Sequence, residues 1–565
     1  MPQTPSFSLD SKSIAALPLV NHFLSRLRFS SLLAECLPPP DPRARLDPQL
    51  ALCALLRCLI IAPTPLYSVS EWATPFLPSL LGACPAQLTD DCLGRSLDRL
   101  FDADRCSLLT TFVLHMIKEF DVPLEELHND STSLTVTGRY VEADGRRMRG
   151  KPTLIVTFGH NKDHRLDLKQ LLWILTVTDE GVPIHFKVSD GNTEDSRTHW
   201  QTWQELCRLV GHPRFLYVAD CKLCTRSTLR AIHEKGGRFI TVLPQTRKED
   251  SQFRTWLVSH TPEWQEVVSY KGRLKDDPLD VFRAVDSPFP DPDGFRLIWF
   301  HSSQKEQRDA EGRRERIARA ISGLEELKAK VESPRSRLKT KQGIAEKAEQ
   351  ILTHRGVQRL MRYSIEESRH PTYRQEKRGR AGTQTRWRRS VKVRYLLSWE
   401  TAPELIEEDA RSDGVFPLLS NYRDLSIKEV LEAYKRKHPL IEKRHEMLKS
   451  VLGTTPLFLK NIGRVEAFLF LEYIAMTVHA LIERELRKAM EREGIKKLPL
   501  YPEERECKAP TAARVIEVFG NLQRHILCGE GGQRVQTFMP EVSELQEKIL
   551  GLLGISAKRS LAGLD

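Results

Sequence analysis

Apolar residues recur at helical spacing through roughly the first 120 residues. The runs 46–62 and 106–119 both carry apolar side chains three or four positions apart. Between them, "TDDCLGRSLDRLFD" (89–102) offers a Thr/Asp cap followed by Leu93, Leu97 and Leu100 on one face. From residue 127 the period changes. "SLTVTG", "TLIVTF" (153–158), "LLWILTVT" (171–178) and "VPIHFKVS" (182–189) are β-branched and of strand length. "DEG" at 179–181 reads as a hairpin turn between the last two. A helix is expected over 194–210, a strand at "FLYVAD" (215–220), a helix over 225–235 and a strand at "RFITVLP" (238–244).

Antiparallel strands followed by helix, strand, helix, strand predict an α/β fold with an RNase H-like core. After residue 250 the strands "EVVSYKG", "LDVFRAV" and "FRLIWF" follow. Ile317, Ile321, Leu324, Leu327 and Val331 then mark an apolar helix face. "SPRS" (333–336) ends it, and a second helical run extends to about 362, so an antiparallel helical hairpin is expected. Strands "VKVRYLLSW" (391–399) and "GVFPLLSN" (414–421) come next, then helices near 426–436, 439–452 and 464–493. The expected layout is a helical region over 1–122, a first part of the core over 123–250 and an insertion over 251–400. A second part of the core over 401–493 and a helical C-terminal region over 494–565 complete it.

Composition narrows the class. Charged residues make up 28% of the 565 residues, and the apolar run 51–62 is too short to span a bilayer and contains Arg57. "MPQTPSFSLD" lacks a basic region followed by an apolar core, so no secretory signal is read there. Eleven scattered cysteines suggest reduced thiols in a cytosolic protein without a membrane partner. Cys221 and Cys224 form a CxxC, but no second pair stands near to complete a zinc site. The net charge of +11 favours a polyanionic partner, nucleic acid foremost. Residues 374–394 hold nine Lys or Arg and one Glu. That strip is either a solvated loop or a phosphate-binding surface. Trp387, between Arg386 and Arg388, either stacks on a base or anchors a buried edge. The N-terminal helices are either a DNA-binding domain or a plain packing domain.

Two acids stand out. Asp130 lies inside the strand-like "LHNDSTSL" (127–134), and Asp220 ends the apolar "FLYVA". An aspartate is costly to bury without a partner or a metal, although acids also cap the turn after a strand. On neighbouring strands the two would hold Mg²⁺ through hard oxygen ligands. A third carboxylate would complete a two-ion site suited to phosphodiester chemistry. The best candidate is Glu442 in "HPLIEKRHEMLKSVLG", on a helix opened by Pro439, with Ile441, Leu448 and Leu452 facing the core. Lys449 lies two turns on, shares its face and could hold a phosphate of the same DNA strand, and Lys435, Arg436, Lys437, Lys443 and Arg444 lie around the core-facing residues. An ordinary charged helix with Glu442 in a surface pair is the alternative, and Glu446 is close by.

These residues resemble the DDE-type bacterial insertion-sequence transposases, in the superfamily where a mostly β insertion precedes the catalytic Glu. The block "GHNKDHRLDLKQ" (159–170) is similar to the family's Gly-x-Ser-Lys-Asp-His-Arg-x-Asp-Leu-Lys-Gln, with Asn161 in place of Ser. "DGNTEDS" (190–196), "PLFLKNIGRVEAFLFL" (456–471), "ALIERELR" (480–487) and "LPLYPEERECKAPTAARVI" (498–516) also resemble it. The superfamily's Tyr, Arg, Glu and Lys fall at intervals of three, four and seven; here Glu442 and Lys449 keep the last, with His438 and Lys435 at the Arg and Tyr places. The resemblance implies Asp130, Asp220 and Glu442 as catalytic ligands of two Mg²⁺ or Mn²⁺ ions. It implies cutting of element ends and their joining to target DNA, a synaptic homodimer, and a bacterial cytoplasmic, nucleoid-associated location. Lys449, Arg444, Arg386, Trp387 and Arg388 are the expected DNA contacts. In the 159–170 block, Lys162, His164, Arg165 and Lys169 would touch the DNA backbone while Asp163 and Asp167 hold the turn; a hairpin with internal salt bridges is the alternative. A nuclease without strand transfer, or a non-catalytic DNA-binding descendant, would share these features.

Overall fold

From Leu127 to Val136 every residue of the strand Glu126–Val136 is buried except Asp130. Burial on both faces requires a central strand, and the pairing supplies one. Lys169–Thr178 runs antiparallel on one side, with Leu175 opposite Asp130. Leu216–Ala219 runs parallel on the other, with Ala219 opposite Asn129. Pro183–Ser189 pairs antiparallel with the former and Arg238–Val242 parallel with the latter. Parallel neighbours need crossovers, and the helices Asp195–Val210 and Arg226–Glu234 provide them. The hairpin turn falls at "DEG": Gly181 has φ +79° and its N–H donates to Thr178 O at 2.9 Å. The expected strand 153–158 does not form and makes isolated bridges only. Two of its amides are taken by side chains instead, Leu154 N by Glu466 and Ile155 N by Asp190.

This computed structural model describes residues 7–163, 165–271, 278–333, 336–454, 457, 459–501, 503, 505–529 and 532–556. It is a mixed α/β protein of two compact units, one formed by residues 1–241 with 429–565 and the other by 242–428. In the first unit, helices Leu17–Arg26, Pro48–Ile61 and Asp90–Asp102 pack around the long helix Ile462–Arg492. Thr89 caps Asp90–Asp102 by accepting from Cys92 N at 3.2 Å, and Leu93, Leu97 and Leu100 are fully buried. Ile462–Arg492 is long and apolar enough to cross a membrane, yet most of it is buried inside the fold as a core helix. Tyr473 on this helix stacks on Phe186 of the sheet at 4.4 Å. The C-terminal region is not all helical as expected: Gln523–Cys528 pairs with Ser8–Ser13 on one side and with Arg534–Phe538 on the other. These strands are short, and one partner lies at the opposite end of the chain, beyond what local periodicity reports.

In the second unit, Val415–Ser420, Arg296–Ser302, Asp280–Asp286 and Gln265–Tyr270 pair antiparallel in that order. Helices Ser303–Glu332 and Lys341–Arg355 form the expected hairpin and bury Leu324, Leu327 and Val331 against Ile344, Ala348 and Leu352. The second helix stops at Arg355, earlier than expected, because Gly356 takes a left-handed φ of +64°. The chain then becomes a two-stranded ribbon, Met361–Gln375 paired with Trp387–Thr401. Its base is held by Met361, Ile365 and Leu397, buried against the helical hairpin. The basic strip 374–394 is thus split: 374–375 and 387–394 are strand, and 376–386 is the exposed loop that joins them.

Candidate active site

Asp220 follows Ala219 directly, so the two expected aspartates stand on adjacent parallel strands. Asp220 also caps the turn Cys221–Leu223, where its Oδ1 accepts from Lys222 N at 2.9 Å. The cap and the site are thus one residue. Burial pushes the Asp220 carboxyl above its usual range, and the charges of Asp130 and Asp195 push it further. Asp130 goes the other way. Burial raises it, but the contact with His445, and then the charges of Lys162 and His438, hold it far below the usual carboxylate range. His445 Nδ1 lies 3.5 Å from Asp130 Oδ2. Lys162 Nζ lies 3.4 Å from Asp130 Oδ1 and 3.7 Å from Asp195 Oδ2, and it also donates to Ser131 O.

Asp195 and Lys162 are therefore part of this centre, and sequence reasoning gave neither its place. Both lie in the two motif blocks, "DGNTEDS" and "GHNKDHRLDLKQ", and the blocks touch. A Cβ at Gly159 would fall 2.0 Å from Gly191 O, and one at Gly191 would fall 2.0 Å from Gln170 O. Only glycine permits this backbone approach. Asn161 Oδ1 accepts from Asp163 N at 2.7 Å, and Lys162 N donates to Ser133 Oγ at 2.9 Å, which turns Lys162 toward Asp130. Arg165 pairs with Asp167 at 2.8 Å, and Lys169 donates to Arg139 O at 2.7 Å. The block is thus a connection with one internal salt bridge, its other charged contacts reaching Asp130, Asp195 and Lys449; His164 lies outside the described residues.

The Glu442 segment is irregular in a way the periodicity does not announce. Two π-helical turns, Ala433–Lys437 and Met447–Val451, flank the α-helical Pro439–Glu446. Pro439 sits in the first turn, and Ile441, Leu448 and Leu452 face the core as expected. Glu442 is exposed, and the residue that this helix brings to Asp130 is His445. Glu442 still shares an electrostatic neighbourhood with both aspartates. Burial raises the Tyr434 hydroxyl, and Asp220, Cys221, Glu442 and Asp130 all add to it. Among the described residues, no three His, Cys, Asp or Glu side chains converge closely enough to hold a metal ion.

Two expected DNA contacts on this helix need correction. Arg444 is only 5% exposed. Its Nη2 pairs with Glu483 at 2.9 Å and its Nε donates to Gly181 O at 2.9 Å, so it is a core residue. Lys449 is not free to hold phosphate as found, because Asp163 binds its ammonium through both oxygens at 2.7 and 2.9 Å. The wide turn at Met447–Val451 also changes its angle from Glu442 relative to a regular helix. His438, where the resembled superfamily has Arg, is no phosphate contact either. Burial, then the nearby His128, pushes its imidazole down to about 3, so it is neutral and stacks on Tyr434 at 5.3 Å. On the ribbon, Arg386 and Arg388 are exposed, and Trp387 is 52% exposed, which rules out a buried edge anchor.

Asp130 and Asp220 are the two acids here whose donor chemistry suits a divalent cation. They offer hard oxygen donors from neighbouring strands, and burial, with the added charges of Asp130 and Asp195, raises Asp220, a cost that a cation would offset. Lys162 supplies part of that positive charge within the chain itself. Residues 9–114 match a family described only as a domain of unknown function (DUF4277). That match ends before Asp130, and no curated protein matches the chain.

Proposed function

We propose that the chain is a DDE-type transposase of an insertion sequence. The observation that carries this reading is the placing of Asp130 and Asp220 on adjacent strands, where burial, with added like charge, raises one carboxyl and His445 and Lys162 hold the other ionised. The strand order supports an RNase H-like core: in chain order, the five strands from Glu126–Val136 to Arg238–Val242 that share this sheet lie third, second, first, fourth, fifth across it. Asp130 and Asp220 are the first two metal-holding acids. Glu442, exposed on the helix that brings His445 to Asp130, is the third. A pair of Mg²⁺ or Mn²⁺ ions, when bound, supplies an activated water and charge stabilisation for in-line displacement at phosphorus.

On this reading, water attacks the phosphodiester at the element's end and the 3′ oxygen leaves with a proton. The freed 3′ hydroxyl then attacks a target phosphodiester, so one P–O bond forms as another breaks and no protein–DNA bond is made. Lys162 stabilises the ionised acids, and His445 fixes the Asp130 carboxylate. The partners are double-stranded element ends and target DNA, with two copies of the chain pairing two ends in the bacterial cytoplasm. The test uses labelled duplex ends, a target plasmid and Mn²⁺. Joined products support the proposal. Cleavage without joining makes the chain a nuclease of the same chemistry. Asp220→Asn should abolish both products while DNA binding persists. A non-catalytic descendant is the second reading, favoured by the lack of three converging ligands among the described residues. It predicts no product from either protein.

A further inference from the structure

The ribbon Met361–Gln375 with Trp387–Thr401 has two chemically different faces. Partners in register share a face, and successive pairs alternate. One face of its outer half carries Arg374 opposite Arg388, Thr372 opposite Ser390, His370 opposite Lys392 and Ser368 opposite Arg394. All four Arg and Lys side chains are exposed. The other face carries Tyr373 opposite Arg389, Pro371 opposite Val391 and Arg369 opposite Val393. The Arg369–Glu367 ion pair, at 2.6 Å, also lies on that second face. Among the described residues, Arg374, Arg388, Lys392 and Arg394 form no ion pair with a carboxylate; Glu366 marks the inner end of their face, and Glu376, whose N–H donates to Arg386 O, its outer end.

Like charges directly across a strand pair destabilise it. A ribbon that opposes Arg to Arg, with small hydroxyl residues between the cations, gains once a polyanion lies along that face. Seven pairs at about 3.3 Å each give an outer half about 23 Å long. A two-stranded ribbon fits the major groove of B-form DNA, which is about 12 Å wide. The A-form groove of duplex RNA is too deep and narrow to admit it. We infer that this cationic face is a docking surface for duplex DNA, with the ribbon seated in the major groove and Arg374, Arg388, Lys392 and Arg394 reaching phosphates on either side. This surface shares no residue with the aspartate centre and does not depend on what chemistry that centre performs.

The experiment measures binding of the full-length chain to a 40-base-pair DNA duplex and an RNA duplex of the same length, in Mg²⁺-free buffer over a salt series. A variant carrying Arg374→Ser, Arg388→Ser, Lys392→Ser and Arg394→Ser should bind the DNA more weakly. Its slope of log affinity against log salt should be shallower by about 0.9 for each phosphate no longer neutralised. A second variant, Tyr373→Ser with Val391→Thr and Val393→Thr, alters only the other face and should keep the wild-type slope. Circular dichroism checks that both fold; if the first does not, Arg388→Ser and Lys392→Ser alone should each lower the slope by about 0.9. An unchanged slope overturns the inference. Equal losses from the two faces, or RNA duplex bound as tightly as DNA, overturn it as well. Because no cleavage is read, the result stands apart from the Asp220→Asn assay.

Discussion

The ammonium of Lys162 lies 3.4 Å from Asp130 Oδ1 and leans toward Asp195 at 3.7 Å, so a side chain holds cationic charge beside the acids. Lys162 is about one-third exposed, and solvent screens part of its effect. A unit charge at this range is still worth several kcal/mol at an effective dielectric near 20. Replacing it with Met should leave Asp130, Asp195 and Asp220 under-compensated. The Lys162→Met protein should melt lower than wild type without metal. Its apparent affinity for Mn²⁺ should rise about tenfold, which corresponds to about 1.4 kcal/mol. Thermal-shift titration with Mn²⁺ measures both; equal titration midpoints in the two proteins would show that Lys162 and the ion do not share a site.

Arg444 and Glu483 form an ion pair in which both side chains are more than nine-tenths buried. Removing one partner leaves the other charged in the core, which typically costs about 3–5 kcal/mol. Arg444→Ala should lose about that much in urea denaturation. The double variant Arg444→Met, Glu483→Met should lose much less, since a hydrophobic pair of similar volume replaces the ions. The DNA affinity of folded Arg444→Ala should equal that of wild type. A tenfold loss of affinity at unchanged fold would restore Arg444 to the DNA surface.

Three buried histidines set an acid limit on stability. Burial pushes His199 and His479 each down to about 4, and His438 to about 3. Each is neutral in the folded protein and takes a proton near 6.5 once unfolded. Between pH 6.5 and about 4 the unfolded chain therefore binds more protons, and stability falls as pH falls. Above pH 6.5 these groups contribute nothing to the slope. His479 reports this most cleanly, because it lies away from the aspartates on the core helix, with Nε2 at 3.0 Å from Ile60 O. His479→Gln should flatten the slope of unfolding free energy against pH between 6 and 4.5 by about 1.4 kcal/mol per pH unit, one proton's worth. Urea denaturation at pH 7, 6 and 5 provides the reading, and parallel curves would contradict the assignment.

What is legible in the sequence and what is hidden follow from range. Leu93, Leu97 and Leu100 repeat within one helix, and Asp179–Gly181 closes one hairpin, so both signals are local and both elements form. The adjacency of Asp130 and Asp220 is legible because a strand, a crossover helix and a strand have few ways to pack. Arg444 is hidden because a charged residue on a charged helix reads as exposed. Its partner Glu483 sits on another helix, 39 positions on, and nothing local signals the pair. Regular helical spacing puts Lys449 on the face of Glu442, and the π turn at Met447–Val451 breaks that spacing. Lys162 and Asp195 need the backbone contact of two glycine-bearing blocks, which no periodicity encodes.

That contact yields the last prediction. The nearest atoms to a Cβ at Gly191 would be Gln170 O at 2.0 Å and Thr157 O at 2.7 Å, both backbone and unable to swing aside. Gln170 also donates its side-chain amide to Gly191 O at 2.8 Å, so any shift of the loop breaks a buried bond. Gly191→Ala should destabilise the protein by about 3 kcal/mol, at the upper end of overpacking costs. It should also displace Asp195 and Lys162 from Asp130, and so weaken the stabilisation by Mn²⁺. Gly312, inside the helix Ser303–Glu332, is the contrasting case. A Cβ there meets nothing within 4 Å. Gly312→Ala should stabilise its helix by about 1 kcal/mol through the lower backbone entropy of alanine, and leave the Mn²⁺ response unchanged. Opposite signs for the two substitutions, measured by denaturation in parallel, separate a glycine required by close approach from one that is merely tolerated. Equal small effects would mean that the two motif blocks do not meet as described.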